Sequence, residues 1–169
     1  FWLEHLASAG IRDLHCHDFE EADWTENLGY RDTVIVAGGD GSVNRAAAVC
    51  RATGATLAIL PSGTANDFAR NLGLPDQPQA LCELIASGIT QTVDVADYGD
   101  GIFLNVAHIG MGTLPARESR GAEKKILGRF SYGVELLRRL NAKRGFRATI
   151  RCDRGVVKGR WLSIAVASG

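Results

Sequence analysis

The sequence predicts an α/β protein in which a parallel-sheet domain is followed by a β-rich one. Three observations carry that prediction. Two β-branched apolar runs, Thr33–Ala37 and Thr56–Leu60, have the length and composition of buried strands. Each runs into a glycine-bearing break and then a helical stretch, and strand–loop–helix repeated twice is the pattern of a parallel sheet covered by helices. Beyond Gly88 the pattern changes to short strand-like runs separated by turn residues.

Taken in order, residues 1–10 read as the end of a helix, with Gly10 as its C′ stop. Ile11–Cys16 reads as a strand and residues 20–29 as a short helix. The strand Thr33–Ala37 is broken by Gly38-Gly39-Asp40-Gly41, and a helix over 42–53 ends near Gly54. Thr56–Leu60 is broken by Pro61-Ser62-Gly63-Thr64, and a helix over Ala65–Asn71 follows. Pro75 and Pro78 precede a helix over 79–87 that Gly88 closes. Thr90–Ala96 and Ile102–Ile109 read as strands joined at Tyr98-Gly99-Asp100-Gly101. Residues 122–142 read as an amphipathic helix with Ile126, Phe130, Val134, Leu137 and Leu140 on one stripe. Arg147–Cys152 and Val156–Ser168 read as an antiparallel pair turning near Asp153-Arg154-Gly155. The domain boundary falls near residue 90, giving 1–90 and 91–169. The chain opens without Met and stops at Gly169 in or just after a strand, where a bare sheet edge would result. Both domains are therefore expected to be truncated.

The 169 residues carry no net charge, but the charge is segregated. Residues 1–32 hold eight acids and two bases, and residues 117–160 hold fourteen Lys or Arg and four acids. A basic region of that size attracts phosphates, nucleic acid or an anionic lipid surface, or else forms a solvated face. No apolar run approaches the roughly 20 residues of a membrane-spanning helix. The start of the chain lacks the layout of a signal peptide. Cys16, Cys50, Cys82 and Cys152 are scattered without CxxC spacing, which fits a reducing cytosol. The expectation is a cytoplasmic protein with any membrane contact peripheral.

The chemistry is concentrated in two loops. In Gly38-Gly39-Asp40-Gly41-Ser42, glycines at a strand end let backbone N–H groups approach an anion, and the following helix points its positive end there. Asp40 could take a proton from a hydroxyl or help to organise Mg²⁺; the same residues also suit a glycine turn with a capping Asp or Ser. In Pro61-Ser62-Gly63-Thr64-Ala65-Asn66-Asp67, Ser62 and Thr64 bring hydroxyls to a second helix start, either facing a phosphate or capping the helix. Two such loops on neighbouring strands suit a triphosphate.

The pair GGDGS and PSGTANDFAR resembles the catalytic domain of diacylglycerol kinases, with sphingosine and ceramide kinases and bacterial lipid kinases as relatives. Further similar segments follow in family order: Thr92-Val93-Asp94-Val95, Phe103-Leu104-Asn105-Val106-Ala107-His108-Ile109-Gly110, and Lys124-Lys125-Ile126-Leu127-Gly128 with Tyr132. The resemblance implies an α/β nucleotide-binding domain followed by a β-sandwich-like one, with ATP, Mg²⁺ and a lipid alcohol such as diacylglycerol as ligands. It implies that Gly38, Gly39, Gly41 and Ser42 form the phosphate loop and that Asp40 is the base. Ser62, Gly63, Thr64 and Asn66 would form the second nucleotide-side loop. Two departures stand out. Arg45 occupies a position where the family often carries Glu, and Gly110-Met111-Gly112-Thr113 lacks an Asp found in many relatives. The metal ligands are not identified by this sequence, and the family's first strand and late Asp-Gly segment would lie outside it.

Three rival readings are weighed against the lipid kinase. A soluble-metabolite kinase of the NAD-kinase type shares the GGDG loop but not PSGTANDFAR. A nucleotide- or lipid-binding pseudokinase is motivated by Arg45 and the missing Asp. A nucleic-acid-binding module rests on the basic third alone, without an aromatic-interleaved motif. His15-Cys16-His17-Asp18 places two histidines on one face of a strand, as a zinc site would, but no second cluster completes it, so surface histidines are expected. His108 reads as a core residue, and Trp2, Trp24 and Trp161 as packing.

Overall fold

The computed structural model describes residues 1–21, 23–110 and 145–168. The chain forms two compact units, one spanning Phe1–Asn105 and joined by Ser168, the other built from strands between Val106 and Ala167. The units part at Asn105, fifteen residues beyond the boundary read near residue 90, because a short hairpin and Leu104 pack into the first core.

The centre of the first unit is a parallel pair, β1 (Thr33–Gly38) and β2 (Thr56–Pro61), joined by α2 (Asp40–Thr53). Alternation along both strands divides the core in two. Val36 and its partner Ile59 face a cluster with Val43, Ala46 and Ala47 of α2 and Phe68 and Ala69 of α3 (Asp67–Asn71). Ile35 and Leu60 face the opposite cluster, with Leu6 of α1 (Trp2–Ser8) and Leu81 and Cys82 of α4 (Pro78–Ala86). A sheet buried on both faces explains why β1 and β2 read as continuous apolar runs.

Helix ends follow the glycines. Gly10 has φ +95, its N–H bonds Ala7 O, and the Ile11 N–H reaches back to Leu6 O; this is the paired bonding of a Schellman cap. Gly54 closes α2 with φ +80 and its N–H on Cys50 O.

Several expected elements differ. Ile11–Cys16 is not a strand: Ile11 and Leu14 turn into the core beside α4, and the segment pairs with no strand among the described residues. Residues 20–29 supply a single 3-10 turn, Asp23–Thr25. The helix expected from Ala65 starts at Asp67, because Asn66 is left-handed (φ 51, ψ 42). Of Thr90–Ala96, a pairing segment forms only at β3 (Ala96–Asp97), which pairs antiparallel with β4 (Ile102–Phe103). Arg51 Nη1 lies 2.7 Å from Asp97 Oδ2 and ties this hairpin to α2. The Asp97 carboxyl is held below its ordinary range, first by the Gly99 N–H and then by Arg51. The helix read over 122–142 lies outside the described residues.

The second unit contains β5 (Val106–Gly110), β6 (Phe146–Cys152), β7 (Gly155–Trp161) and β8 (Ser163–Ala167), pairing antiparallel as β5–β8 and β6–β7. The run read as Val156–Ser168 is thus two strands, divided at Leu162. The run Ile102–Ile109 is likewise divided, where buried Leu104 anchors it to the first unit. Among the described residues no helix is long and apolar enough to cross a membrane. All four cysteines are free, with Cys50 and Cys82 buried and their thiols pushed upward by desolvation.

Candidate active site

The register of the parallel pair sets Gly38 opposite Pro61, so both glycine-bearing loops leave the sheet at the same level. The Ser62 N–H bonds Gly38 O at 3.0 Å and carries the pairing one step into the loops. Beyond it the two backbones touch. A Cβ on Gly63 would lie 2.5 Å from Gly39 Cα, and one on Gly39 would lie 3.2 Å from Gly63 Cα. Only glycine opposite glycine permits this approach.

α2 begins at Asp40, two residues before the expected start, with Gly39 extended as its cap residue. Asp40, Gly41 and Ser42 therefore form the first turn. The first N–H to find a carbonyl inside the helix is that of Val43, on Gly39 O. No side chain caps the helix, so the N–H groups before Val43 keep the donors and partial positive charge of a helix start. Gly41 is exposed, and a Cβ there would meet nothing within 4 Å.

The second loop is braced rather than open. Asn66 Oδ1 accepts from Gly63 N–H and its Nδ2 donates to Gly63 O, both at 2.9 Å, so one amide closes the loop. Ser62 Oγ donates to Leu60 O and accepts from Trp2 Nε1 at 3.0 Å. It is engaged with β2 and α1 and makes no cap on α3. Thr64 is exposed. The five-residue α3 is capped from the other loop: Asp40 Oδ1 accepts the Phe68 N–H at 3.1 Å. The two loops that the sequence read as parallel phosphate sites thus form one assembly, with α2 supplying the open helix start and the Asn66 loop buttressing it.

Sequence reading did not single out Phe68 N–H as the partner of Asp40, and it treated Trp2 only as packing. Trp2 does pack against the α4 side of the core, and its indole also fixes Ser62. Replacing Trp2 by Phe keeps a ring and removes the donor. A loss of about 1 kcal/mol in stability is expected, measurable by thermal melting.

Arg45, at the position where the family often carries Glu, is engaged with the segment ahead of β1. Its Nη1 is 2.9 Å from Glu20 Oε1, and its guanidinium stacks 4.5 Å from the Phe19 ring centroid. Asn44, one residue earlier, bonds Ile102 O at 3.0 Å. His15 is exposed, and His17 faces Glu21 at 3.3 Å. No group of three His, Cys, Asp or Glu able to hold a metal occurs among the described residues.

An uncapped helix start beside a glycine-on-glycine contact can hold phosphate oxygens on backbone donors, and a half-buried carboxylate at the same turn can accept a proton. Comparison with known proteins points the same way. Residues 8–98 match the family profile of the diacylglycerol kinase catalytic domain. A protein of Cronobacter sakazakii named as a probable lipid kinase, YegS-like, is 36% identical over 142 residues, covering 81% of this chain and 48% of the relative. A Pseudomonas aeruginosa protein of the same name is 32% identical over 139 residues, covering 81% and 46%. The crystal structure of a putative diacylglycerol kinase from Bacillus anthracis superposes with a TM-score of 0.69 at 30% identity, over 96% of this chain and 56% of that one. The chain spans about half the length of the curated relatives it matches.

Proposed function

The chain belongs to the diacylglycerol kinase catalytic-domain family, and from that membership we propose that it acts in ATP-dependent transfer of the γ-phosphate to a lipid hydroxyl such as that of diacylglycerol. The observation that carries the proposal is the close packing of Gly39 on Gly63 beside the uncapped start of α2. Residues 1–90 are assigned to nucleotide binding and the β-rich residues 91–169 to the lipid side. The protein is proposed to work in the cytoplasm, peripheral to a membrane.

The residues fit a nucleotide triphosphate. Gly38 and Gly39 give backbone access, and the Asp40, Gly41 and Ser42 N–H groups point from the helix start. Gly63, Thr64 and Asn66 wall the opposite side, while Ser62 is fixed by Trp2. ATP, when bound, supplies the phosphoryl group. Asp40 keeps one oxygen on the Phe68 N–H, which fixes the carboxylate, and leaves the other to accept the proton of the lipid hydroxyl. Catalysis of this kind is mostly positioning. Among the described residues no cluster of carboxylates is placed to hold Mg²⁺.

The test uses the intact protein with γ-labelled ATP, Mg²⁺ and vesicles carrying diacylglycerol, a sphingoid base or phospholipid alone. Label entering one lipid class is expected. ATP binding without any labelled lipid would overturn the kinase reading.

A further inference from the structure

The β6–β7 hairpin has two chemically different faces. In an antiparallel pair, residues directly opposite share a face. The register sets Arg147 opposite Arg160, Thr149 opposite Lys158 and Arg151 opposite Val156. One face therefore carries Arg147, Arg151, Lys158 and Arg160, all exposed, with Arg154 at the turn. The other face carries Phe146, Ala148, Ile150 and Trp161, all half-buried, with Val157 and Cys152 exposed toward the turn. None of the five cations makes an ion pair among the described residues. The nearest acid in sequence is Asp153, in the turn.

Folding does not explain this face. Like charges directly opposite across a strand pair are destabilising, and Arg147 with Arg160 is such a pair. A cationic face that weakens its own hairpin gains only when an anionic surface meets it. The face carries no aromatic side chain on which a base could stack, which disfavours single-stranded nucleic acid. Val156, 56% exposed, is its one aliphatic side chain and sits beside the turn. Exposed, polycationic and tipped by one aliphatic group, the face matches the headgroup layer of an anionic bilayer.

We propose that the Arg147–Arg151–Lys158–Arg160 face of the β6–β7 hairpin docks this protein on anionic phospholipid. The inference rests on the lipid-kinase reading for its purpose, since docking holds the enzyme where its substrate lies. Its test is independent of turnover.

Binding of the intact protein is measured by co-sedimentation, without ATP, using vesicles of phosphatidylcholine alone or with about one third phosphatidylserine. Binding to the mixed vesicles is expected, with little to phosphatidylcholine alone, and it should weaken steeply as salt rises. Replacing Arg147, Arg151 and Lys158 together by Gln should cut partitioning by about 100-fold, at about fivefold per cation. Replacing Arg12 and Arg31, exposed cations of the first unit, should leave binding intact. A single Arg147→Glu variant guards against misfolding. It places opposite charges across the strands and should hold or raise the melting temperature while binding falls.

Equal binding to both vesicle types, or undiminished binding by the triple variant, would overturn the proposal. So would nucleic acid displacing the protein from vesicles at lower concentration than the lipid binds it. Loss of kinase activity with vesicle binding intact would count against the lipid-kinase reading alone.

Discussion

Replacing Asp40 by Asn lowers phosphoryl transfer by about 10²–10⁴-fold, the usual worth of a positioned general base, and leaves the melting temperature unchanged. The two halves of that expectation come from the two carboxylate oxygens. Oδ1 caps α3 through the Phe68 N–H at 3.1 Å, and an Asn side-chain oxygen can accept the same bond. What Asn cannot do is accept a proton as a carboxylate does. Asp40→Ala removes both, so it should lose transfer and also about 1 kcal/mol of stability through the missing cap. Full transfer by the Asn variant, together with a stability loss in the Ala variant, would reduce Asp40 to a cap.

Replacing Gly63 by Ala breaks the assembly mechanically. Its Cβ would stand 2.5 Å from Gly39 Cα and 2.8 Å from Asn66 Oδ1. The first obstacle is backbone, and the second is an amide already bonded to Gly63 on both sides, so neither can swing away cheaply. Overpacking of this kind costs about 1–3 kcal/mol, which for a unit of this size lowers the melting temperature by roughly 4–8 °C per kcal/mol. The loops relieve the clash by parting, and a misplacement of about 1 Å can cost on the order of 10² in turnover. Melting curves and ATP kinetics on the same variant check both effects. A variant that melts normally and turns over normally would mean that the loops are not in the contact described.

Much of the nucleotide half was legible in the sequence because its signals are local. Thr33–Ala37 and Thr56–Leu60 pack apolar side chains against a cluster on each face, so composition alone identifies them, and Gly10, Gly54 and Gly88 mark helix ends by backbone conformation. The two glycine loops stood out, but not their relation. That Asp40 caps α3 across 28 positions, and that Asn66 closes its own loop, depend on the sheet register and on one left-handed residue. Asn66 also explains the helix start missed at Ala65. Strand limits in the second unit were misread where apolar runs continue through a break. Leu104 and Leu162 look like strand residues in sequence, yet at Leu104 the chain is anchored in the first unit, and at Leu162 it changes strand partner. The same register exposed the cationic face, which charge counting had placed only within a basic third of the chain.

The central claim is that phosphates sit on the open start of α2, and the Gly41→Ala variant tests it most directly. Gly41 lies in helical conformation with nothing within 4 Å of an added Cβ, so Ala should raise the stability of the unliganded protein by roughly 0.5 kcal/mol. The same methyl group would stand where backbone must approach the nucleotide. Calorimetric titration of the intact protein with ATP should therefore show weakened binding in a variant that melts no lower than the original. Unchanged ATP affinity in that variant would contradict the account and move the nucleotide away from α2.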